Sequence, residues 1–356
     1  MNRRVATLPS PPITTGEVTD RRPRFALLVV LAGGVIAGAL IALAITLTVS
    51  AGAVTSGPAV AFGLALSRAV LDGAAVVTVG MSFLPKLLAP DQTEGAAEPL
   101  ASARLIAVAS SAVWLVAALV SMLLEIVDIN VGEPLTGAVI GQYVRGAGSG
   151  QAHVAVACCA LVYLVIAVCA VRKGEVVPAE LRIAIAVFAL IPLSTAGHAA
   201  FSANQNLRLL ALSSLEVHVI SAVSWTAGLL AVMLLFGMDR NLLAGALPRF
   251  SRLATGCVFL VGFTGLFNGW YELYSTPGIH WYTAVFTTHY GWVLIGKALC
   301  LATAGLLGGY TRFRLLPQII ERKATAVATW TTVEIGVLAV AFGLAAVLIR
   351  APVVSG

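Results

Sequence analysis

The sequence predicts an all-α protein built as a polytopic bundle of transmembrane helices. Hydrophobic residues make up 59% of the 356 residues and charged residues only 11%, which is too apolar for a soluble domain to cover with polar surface. The apolar residues occur in runs long enough to cross a hydrocarbon layer of about 30 Å. Lysine and arginine concentrate in alternate connections between these runs, as expected of loops on the cytoplasmic side.

Nine apolar runs are long enough to be transmembrane helices. They lie near residues 25–49, 58–84, 104–126, 151–171, 181–200, 212–237, 250–271, 289–310 and 327–349. The first run follows several arginines and ends in small residues, as a signal peptide does, but it is longer than a signal-peptide core. We therefore expect it to remain as the first span. Residues 1–24, which are rich in Pro, Thr and Arg, are expected to form a disordered cytoplasmic tail.

The distribution of basic residues predicts the orientation of the bundle. With the amino terminus in the cytoplasm, 17 of the 22 lysines and arginines lie in cytoplasmic segments, three lie outside and two lie within spans. This asymmetry fits the positive-inside rule. We expect a four-span region over residues 25–172, a five-span region over 173–350 and an extracytoplasmic end over 351–356. The protein is predicted to be a multi-pass protein of the cytoplasmic membrane, surrounded by membrane lipid.

Composition and motifs exclude several classes of function. The net charge of +6 arises from the cytoplasmic loops, and no basic stripe carries interleaved aromatic residues, so we expect no nucleic-acid partner. All five cysteines lie inside apolar runs without C-x-x-C spacing, which is typical of small buried hydrophobic residues. The sequence contains no nucleotide-binding, zinc-protease or nucleophile-elbow motif, so we expect no enzyme activity.

All five histidines fall at or near the predicted extracytoplasmic rim of the bundle. They are His153, His198, His218, His280 and His289. His198 closes the fifth span and His218 lies about two turns into the sixth, so the short loop between these spans brings both imidazoles to neighbouring antiparallel helices. Such a pair could bind one metal ion, with His280 and His289 as further candidate ligands. The alternative for each histidine is an interfacial or hydrogen-bonded side chain at a helix end.

Sulfur and carboxylate groups provide further candidate ligands. Met122, Glu125 and Asp128 are spaced three residues apart at the outer end of the third span and lie roughly on one helix face. Because a thioether is a soft ligand, Met122 is a candidate copper ligand. Met81 and Met233 lie toward the cytoplasmic ends of their spans, where they would suit an ion arriving on that side. The alternative for the methionines is ordinary core filling.

Four charged residues lie within the membrane and are therefore candidates for function. Arg68 and Asp72 are spaced i, i+4 and are expected to satisfy each other. Lys297 lies about 12 Å from the outer end of the eighth span, and Glu334 about 10 Å from the cytoplasmic end of the ninth. If these helices are adjacent, the two side chains could pair near mid-membrane. They would then form either a structural ion pair or a gate in an ion or proton path.

Three stretches together resemble the copper-resistance protein D (CopD) family. Residues 215–230 (LEVHVISAVSWTAGLL) are similar to its histidine-to-tryptophan span, residues 249–265 (RFSRLATGCVFLVGFTG) to its RFSRLA…TG helix, and residues 287–312 to its T-x-YG…K…R helix. The resemblance covers about residues 180–350, whereas residues 25–172 match only in hydropathy. The order of the stretches also resembles the amino-terminal half of actinobacterial fusions in which a CopD part precedes a CtaG-like part for cytochrome oxidase assembly.

The resemblance implies copper ion transport or handling across the cytoplasmic membrane, usually described as uptake from an extracytoplasmic copper-binding protein. The family positions that it marks are His198, His218, Trp225, Tyr290, Gly291 and Lys297. Trp225, which shares a helix face with His218, and Tyr290 are expected to pack near the site. Ala227 stands where a glycine is common in the family.

Two alternatives to copper transport remain open. Two histidines on neighbouring helices could be the axial ligands of haem in a haem-binding or electron-transfer protein. The chain could instead be a non-catalytic assembly partner for a respiratory oxidase, with oxidase assembly factors as its partners and purely interfacial histidines.

Overall fold

The computed structural model describes the backbone of residues 27–40, 57–88, 95–192, 205–276 and 278–348, apart from residues 28, 39, 176, 238, 279, 322 and 324. Every regular element in these residues is a helix, which confirms the predicted all-α class. Seven helices are long and apolar enough to cross a membrane, which confirms a polytopic bundle. They correspond to the second, third, fourth, sixth, seventh, eighth and ninth predicted spans.

Twelve α-helices lie in the described part of the chain. In order they are α1 (Val29–Gly38), α2 (Pro58–Leu87), α3 (Ala97–Ile129), α4 (Gly137–Gly146), α5 (Gly148–Lys173), α6 (Ala179–Phe188), α7 (Gln205–Phe236), α8 (Arg240–Ser275), α9 (Trp281–Thr287), α10 (His289–Tyr310), α11 (Leu316–Ile320) and α12 (Val327–Leu348). A π-helical turn over Thr311–Leu315 joins α10 to α11, so these two continue as one rod.

The first and fifth predicted spans are described only in part. α1 belongs to the apolar run over residues 25–49, and α6 belongs to the run over 181–200. The other residues of both runs lie largely outside the described part of the chain. The count of nine spans therefore stays a prediction.

Two central helices begin earlier than the apolar runs that predicted them. α8 begins at Arg240, well before residue 250, because the Asp239 carboxylate accepts hydrogen bonds from the backbone N–H groups of Asn241 and Leu242. α7 likewise begins at Gln205 and not near residue 212. Hydropathy identifies the part of a helix that hydrocarbon covers, and it does not detect the polar turns beyond that part.

α7 lies at the centre of the bundle. Its most apolar 18-residue stretch is 83% buried by protein, compared with 17% for the rod formed by α10 and α11. α7 packs against α2 and α8, and α2 packs in turn against α3 and α6. α5 packs against α3 on one side of the bundle, and α12 packs against α10 on the other. The side chains in this stretch of α7 are therefore largely surrounded by protein.

The relative directions of neighbouring helices follow from contacts between residues. Each pair of helices makes contacts at two different levels along its length. The contacts are Thr78–Ser110 and Gly63–Leu124 for α2 and α3, His218–Thr264 and Gly228–Phe250 for α7 and α8, Gly262–Leu301 and Gly269–Leu294 for α8 and α10, and Gly308–Glu334 and Gly296–Leu344 for α10 and α12. All four pairs of helices are antiparallel. The starts of α5, α7 and α10 and the ends of α3, α8 and α12 lie together at what we call the histidine end.

α1 packs closely against α12 through two glycines spaced four residues apart. A Cβ atom added at Gly34 would lie 2.7 Å from the Cβ of Ala339, and one added at Gly38 would overlap the backbone carbonyl of Val340. Small residues of this kind let helix backbones approach closely, which matters in a membrane because the hydrophobic effect does not drive helices together there. The two glycines therefore allow α1 to pack directly against the backbone of α12.

An ion pair ties α2 to α6 at the opposite end of the bundle. The Lys86 ammonium donates to the Glu180 carboxylate, and this hydrogen bond holds the pKa of Glu180 below its ordinary value. Both side chains are exposed to solvent, so the pair orients α6 and adds little stability.

Candidate functional site

Four of the five histidines lie in the described residues, and all four lie toward the histidine end. His153 is near the start of α5, His280 directly precedes α9, and His289 begins α10. His218 lies deeper, in the first half of α7. His198 lies outside the described residues, so its pairing with His218 stays a prediction.

His153 takes part in the packing of α3 against α5. Its side chain is 5% exposed, and its Nδ1 atom lies 2.9 Å from the carbonyl oxygen of Ser149 and 3.7 Å from Oε2 of Glu125. A carbonyl oxygen can only accept, so Nδ1 carries a proton and donates. His153 is therefore a hydrogen-bonded side chain between two helices.

His280 and His289 lie at the surface near α9. Both side chains are exposed, and the His280 ring stacks on Tyr282 with the ring centroids 5.7 Å apart. Nowhere in the described ranges do three or more His, Cys, Asp or Glu side chains come close enough to share a metal ion. His280 and His289 are therefore not assembled with His218 into a cluster of that kind, and their role as ligands stays a prediction.

His218 is fixed in orientation between α7 and α8. Its Nδ1 atom lies 3.1 Å from Oγ1 of Thr264, and the Thr264 hydroxyl donates to the backbone carbonyl of Leu260. Because the single hydroxyl proton points to that carbonyl, Oγ1 accepts the bond from His218 and Nδ1–H donates it. The Nε2 atom is then the unprotonated nitrogen, and it carries a lone pair that can bind a metal ion.

Small residues on α8 make room for the His218 ring. A Cβ atom added at Gly265 would lie 3.1 Å from Cε1 and 3.5 Å from Nδ1 of His218. The neighbouring Thr264 is buried at the same interface. Thr264 and Gly265 form the Thr-Gly pair that ends the family-like stretch over 249–265. This motif therefore provides the surface of α8 against which the imidazole packs.

Lys297 and Glu334 do not form the ion pair that the sequence suggested. Glu334 lies beside Gly308 of α10, where an added Cβ would be 3.2 Å from its Oε1 atom. Gly308 is three turns along α10 from Lys297, a separation of about 16 Å. The register of α10 against α12 therefore keeps the two charges apart. A gating role for either residue stays a prediction.

Glu334 is hydrogen-bonded to Trp225 instead. The indole Nε1–H donates to Oε1 of Glu334 at 3.2 Å, and both residues are 2% exposed. Trp225 lies on the same face of α7 as His218, about 10 Å further from the histidine end. Trp225 therefore packs near His218, and it also donates a hydrogen bond to the buried carboxylate of Glu334.

Lys297 of α10 lies level with the helical turn of α8 that follows Thr264, the residue that contacts His218. No carboxylate oxygen of the described residues comes within 4.0 Å of the Lys297 ammonium. Arg68 forms the expected ion pair with Asp72, whose Oδ1 atom lies 3.2 Å from the Arg68 Nε atom.

Met122 and Tyr290 pack in separate apolar clusters. Met122 lies with Ile126 beneath α4, and Tyr290 lies with Leu273 where α9 folds back on α10. Tyr290 is thus a packing residue at the histidine end, and its place beside a metal site stays a prediction. The cluster around Met122 does not include His218, and a role of Met122 as a copper ligand stays a prediction.

A polar cluster at the opposite end of the bundle was not anticipated. Arg312, on the π-helical turn, donates from Nη1 to Oγ of Ser251 at 2.8 Å and to Oγ1 of Thr255 at 2.9 Å on α8. All three residues belong to the stretches that carry the family resemblance, and that was the signal available in the sequence. Their meeting depends on the π-helical turn, which redirects the side chains that follow it.

Two family models match the chain. The model described as copper resistance protein D-like, N-terminal domain, matches residues 59–205, and the model described as copper resistance protein D matches residues 244–348. The first match covers spans that resembled the family only in their hydropathy. The second match contains Thr264 and Gly265, which contact the His218 ring. Comparisons with curated proteins and with solved structures gave no match.

The resemblance to fusions with a CtaG-like part is not tested by these matches and stays a prediction. The two matched regions carry six of the seven long apolar helices, α7 lies between them, and the cytoplasmic membrane is the usual location of the matched family. The chain therefore belongs to the copper resistance protein D family and is a multi-pass membrane protein.

Proposed function

We propose that this protein moves copper ions across the cytoplasmic membrane and takes them up from an extracytoplasmic copper-binding protein. The observation that carries the proposal is the contact between Nδ1 of His218 and Oγ1 of Thr264, from which we infer that Nδ1–H donates and that Nε2 keeps its lone pair. A neutral imidazole nitrogen is a good ligand for copper and a poor one for magnesium or calcium. Membership of a copper-resistance family supports copper as the ion.

Groups on and around α7 support a route inward from His218. Trp225 and Glu334 lie about 10 Å deeper than His218, and the buried Met233 lies about 22 Å deeper. Met81 is buried on α2, next to Gly80, which contacts α7. In this route an imidazole receives the ion, a carboxylate lies midway, and thioethers, which are soft ligands, receive copper at the far end.

The copper content of the purified protein in nanodiscs tests the role of His218. We expect His218→Ala to lower copper affinity by about tenfold or more, equivalent to about 1.4 kcal/mol, because the imidazole ligand is lost. The double variant His198→Ala/His218→Ala is expected to lose binding. His153→Ala is the matched control and should retain copper, because its ring is hydrogen-bonded between α3 and α5. Equal copper in the double variant and the wild-type protein would contradict the proposal.

The same preparations separate the alternatives. A red protein with a Soret band that disappears in His218→Ala would support haem binding instead of copper transport. Copper content that does not change when all five histidines are replaced would support an assembly partner with interfacial histidines.

The direction of transport has its own test. If the protein takes up copper, cells that produce it should accumulate more copper from a copper-poor medium than cells that produce His218→Ala at the same level. Lower accumulation with the wild-type protein would contradict uptake and support export.

A further inference from the structure

Buried polar atoms without a partner lie next to His218. Across the described ranges, Oγ of Ser214 on α7 and both Nδ2 and Oδ1 of Asn268 on α8 are buried and make no hydrogen bond. Polar groups inside a membrane must be satisfied internally, because no bulk solvent is available to them. Orphan atoms of this kind indicate an ion or a water molecule that binds between the helices.

The helix register brings these atoms together. His218 meets Thr264 across the antiparallel pair α7 and α8. Ser214 precedes His218 by one turn, and Asn268 follows Thr264 by one turn, so both are displaced in the same direction along the interface. Ser214 and Asn268 therefore lie at the same height, about 6 Å nearer the histidine end than the imidazole.

Lys297 of α10 lies within one helical turn of this height. α8 and α10 are antiparallel, with Gly262 facing Leu301 and Gly269 facing Leu294, so Lys297 is level with the turn between Thr264 and Asn268. Leu294 and Leu301 contact α8 and lie on the same face of α10 as Lys297, so Lys297 lies on the face of α10 that meets α8.

The charge of Lys297 is not balanced by a carboxylate in the described part of the chain. Glu272 on α8 and Glu216 on α7 are the acids closest along these helices, and neither forms an ion pair with Lys297. An ammonium inside a low-dielectric bundle is strongly unfavourable unless it has a counter-ion.

We propose that Lys297, Asn268 and Ser214 form a binding site for a small monovalent anion such as chloride. The helix register places three donors, the Lys297 ammonium, the Asn268 amide N–H and the Ser214 hydroxyl, within one helical turn of the same height beside His218. A water molecule would satisfy the amide and the hydroxyl, but it would leave the charge of Lys297 unbalanced. An anion accepts from all three donors and balances the charge, and the ammonium, which has three N–H groups, can also donate to the Oδ1 atom of Asn268.

The site also gives Lys297 a role in copper binding, and this step rests on the proposed function. A bare copper ion at Nε2 of His218 would be repelled by the ammonium. An anion between them reverses the sign of the interaction, because it is attracted to both cations. Copper would then be bound by the imidazole and by the anion as a second ligand.

Chloride line broadening in ³⁵Cl NMR of the metal-free protein tests the anion site. We expect the wild-type protein to broaden the chloride signal, and bromide to reverse the broadening by competition. Lys297→Met should reduce the broadening several-fold, and Asn268→Leu should reduce it less. Lys297→Arg, which keeps the charge, should retain most of it and also reports on folding. Lys86→Met is the matched control, because Lys86 is exposed at the opposite end of the bundle.

Broadening in Lys297→Met equal to that in the wild-type protein would overturn the proposal, as would a wild-type signal no broader than that of empty nanodiscs. The copper step is read separately, by comparing copper affinity in chloride and in gluconate buffers. Chloride should strengthen copper binding to the wild-type protein more than to Lys297→Met. If the protein binds no copper but still broadens the chloride signal, the proposed function fails and the anion site remains.

Discussion

A single buried acid shows how one residue can organise the inside of this bundle. Glu334 lies among apolar helices and accepts one hydrogen bond in the described structure, from the indole of Trp225. Burying a carboxyl group is costly unless it is hydrogen-bonded, so the indole is a structural requirement for an acid at this position. The sequence assigned Trp225 to packing and paired Glu334 with Lys297. Both residues were therefore identified, but the contact between them depends on a helix register that periodicity does not contain.

Trp225→Phe is expected to destabilise the protein by about 1–3 kcal/mol, because it leaves the Glu334 carboxyl buried without its donor. The measurement is a denaturation curve of the purified protein, read as the free energy of unfolding. Replacing both partners, as in Trp225→Phe/Glu334→Leu, should recover part of this loss, since no orphan group remains. A double variant with the full sum of the two single losses would show that the two residues act independently.

At the scale of the element, the contact between α1 and α12 depends on which glycine faces the partner helix. Gly34 and Gly38 face α12, whereas an atom added at the adjacent Gly33 would meet nothing within 4 Å. The same G-x-x-x-G spacing at Gly305 and Gly309 makes no such approach, since an atom added at Gly309 also meets nothing within 4 Å. The spacing alone is therefore an incomplete signal, because it does not say which helix lies opposite.

Gly38→Ala is expected to lower the free energy of unfolding by about 1–3 kcal/mol, because the new methyl group would overlap the backbone of α12 at Val340. Gly33→Ala adds the same atoms on the open face of α1 and should leave stability unchanged or slightly higher. The comparison of the two alanine variants in denaturant separates packing from helix propensity. A similar loss of unfolding free energy in both variants would mean that α1 does not pack against α12 through Gly38.

Elements were easier to predict from the sequence than the site. Seven of the spans follow from hydropathy alone, because each must present apolar residues over the thickness of the hydrocarbon. The site was only partly predicted: His218 was identified, but its partner Thr264 and the polar residue Asn268 were not. No sequence pattern marks a single threonine or asparagine inside an apolar run as part of a site. Their role becomes visible only when the register between the neighbouring helices shows which residues they contact.

At the scale of the whole molecule, the basic residues and the histidines are concentrated at opposite ends of the same bundle. The described histidines lie toward the end where α5, α7 and α10 begin. The basic side chains of the connections, among them Lys86, Arg182 and Lys323, lie at the other end. The positive-inside rule predicts that the basic end faces the cytoplasm, and in that orientation the histidine end would meet ions arriving from outside.

This orientation predicts the outcome of labelling with a membrane-impermeant maleimide. In a background with the five native cysteines replaced, Glu133→Cys lies between α3 and α4 at the histidine end and should react in intact cells, because that side chain is exposed. Lys323→Cys lies beyond α11 at the basic end and should react only after the membrane is permeabilised. The cysteine-free background is the control for labelling elsewhere. The reverse pattern would place His218 in the cytoplasmic half, and the ion would then have to enter the bundle from the cytoplasm, which is incompatible with uptake through this imidazole.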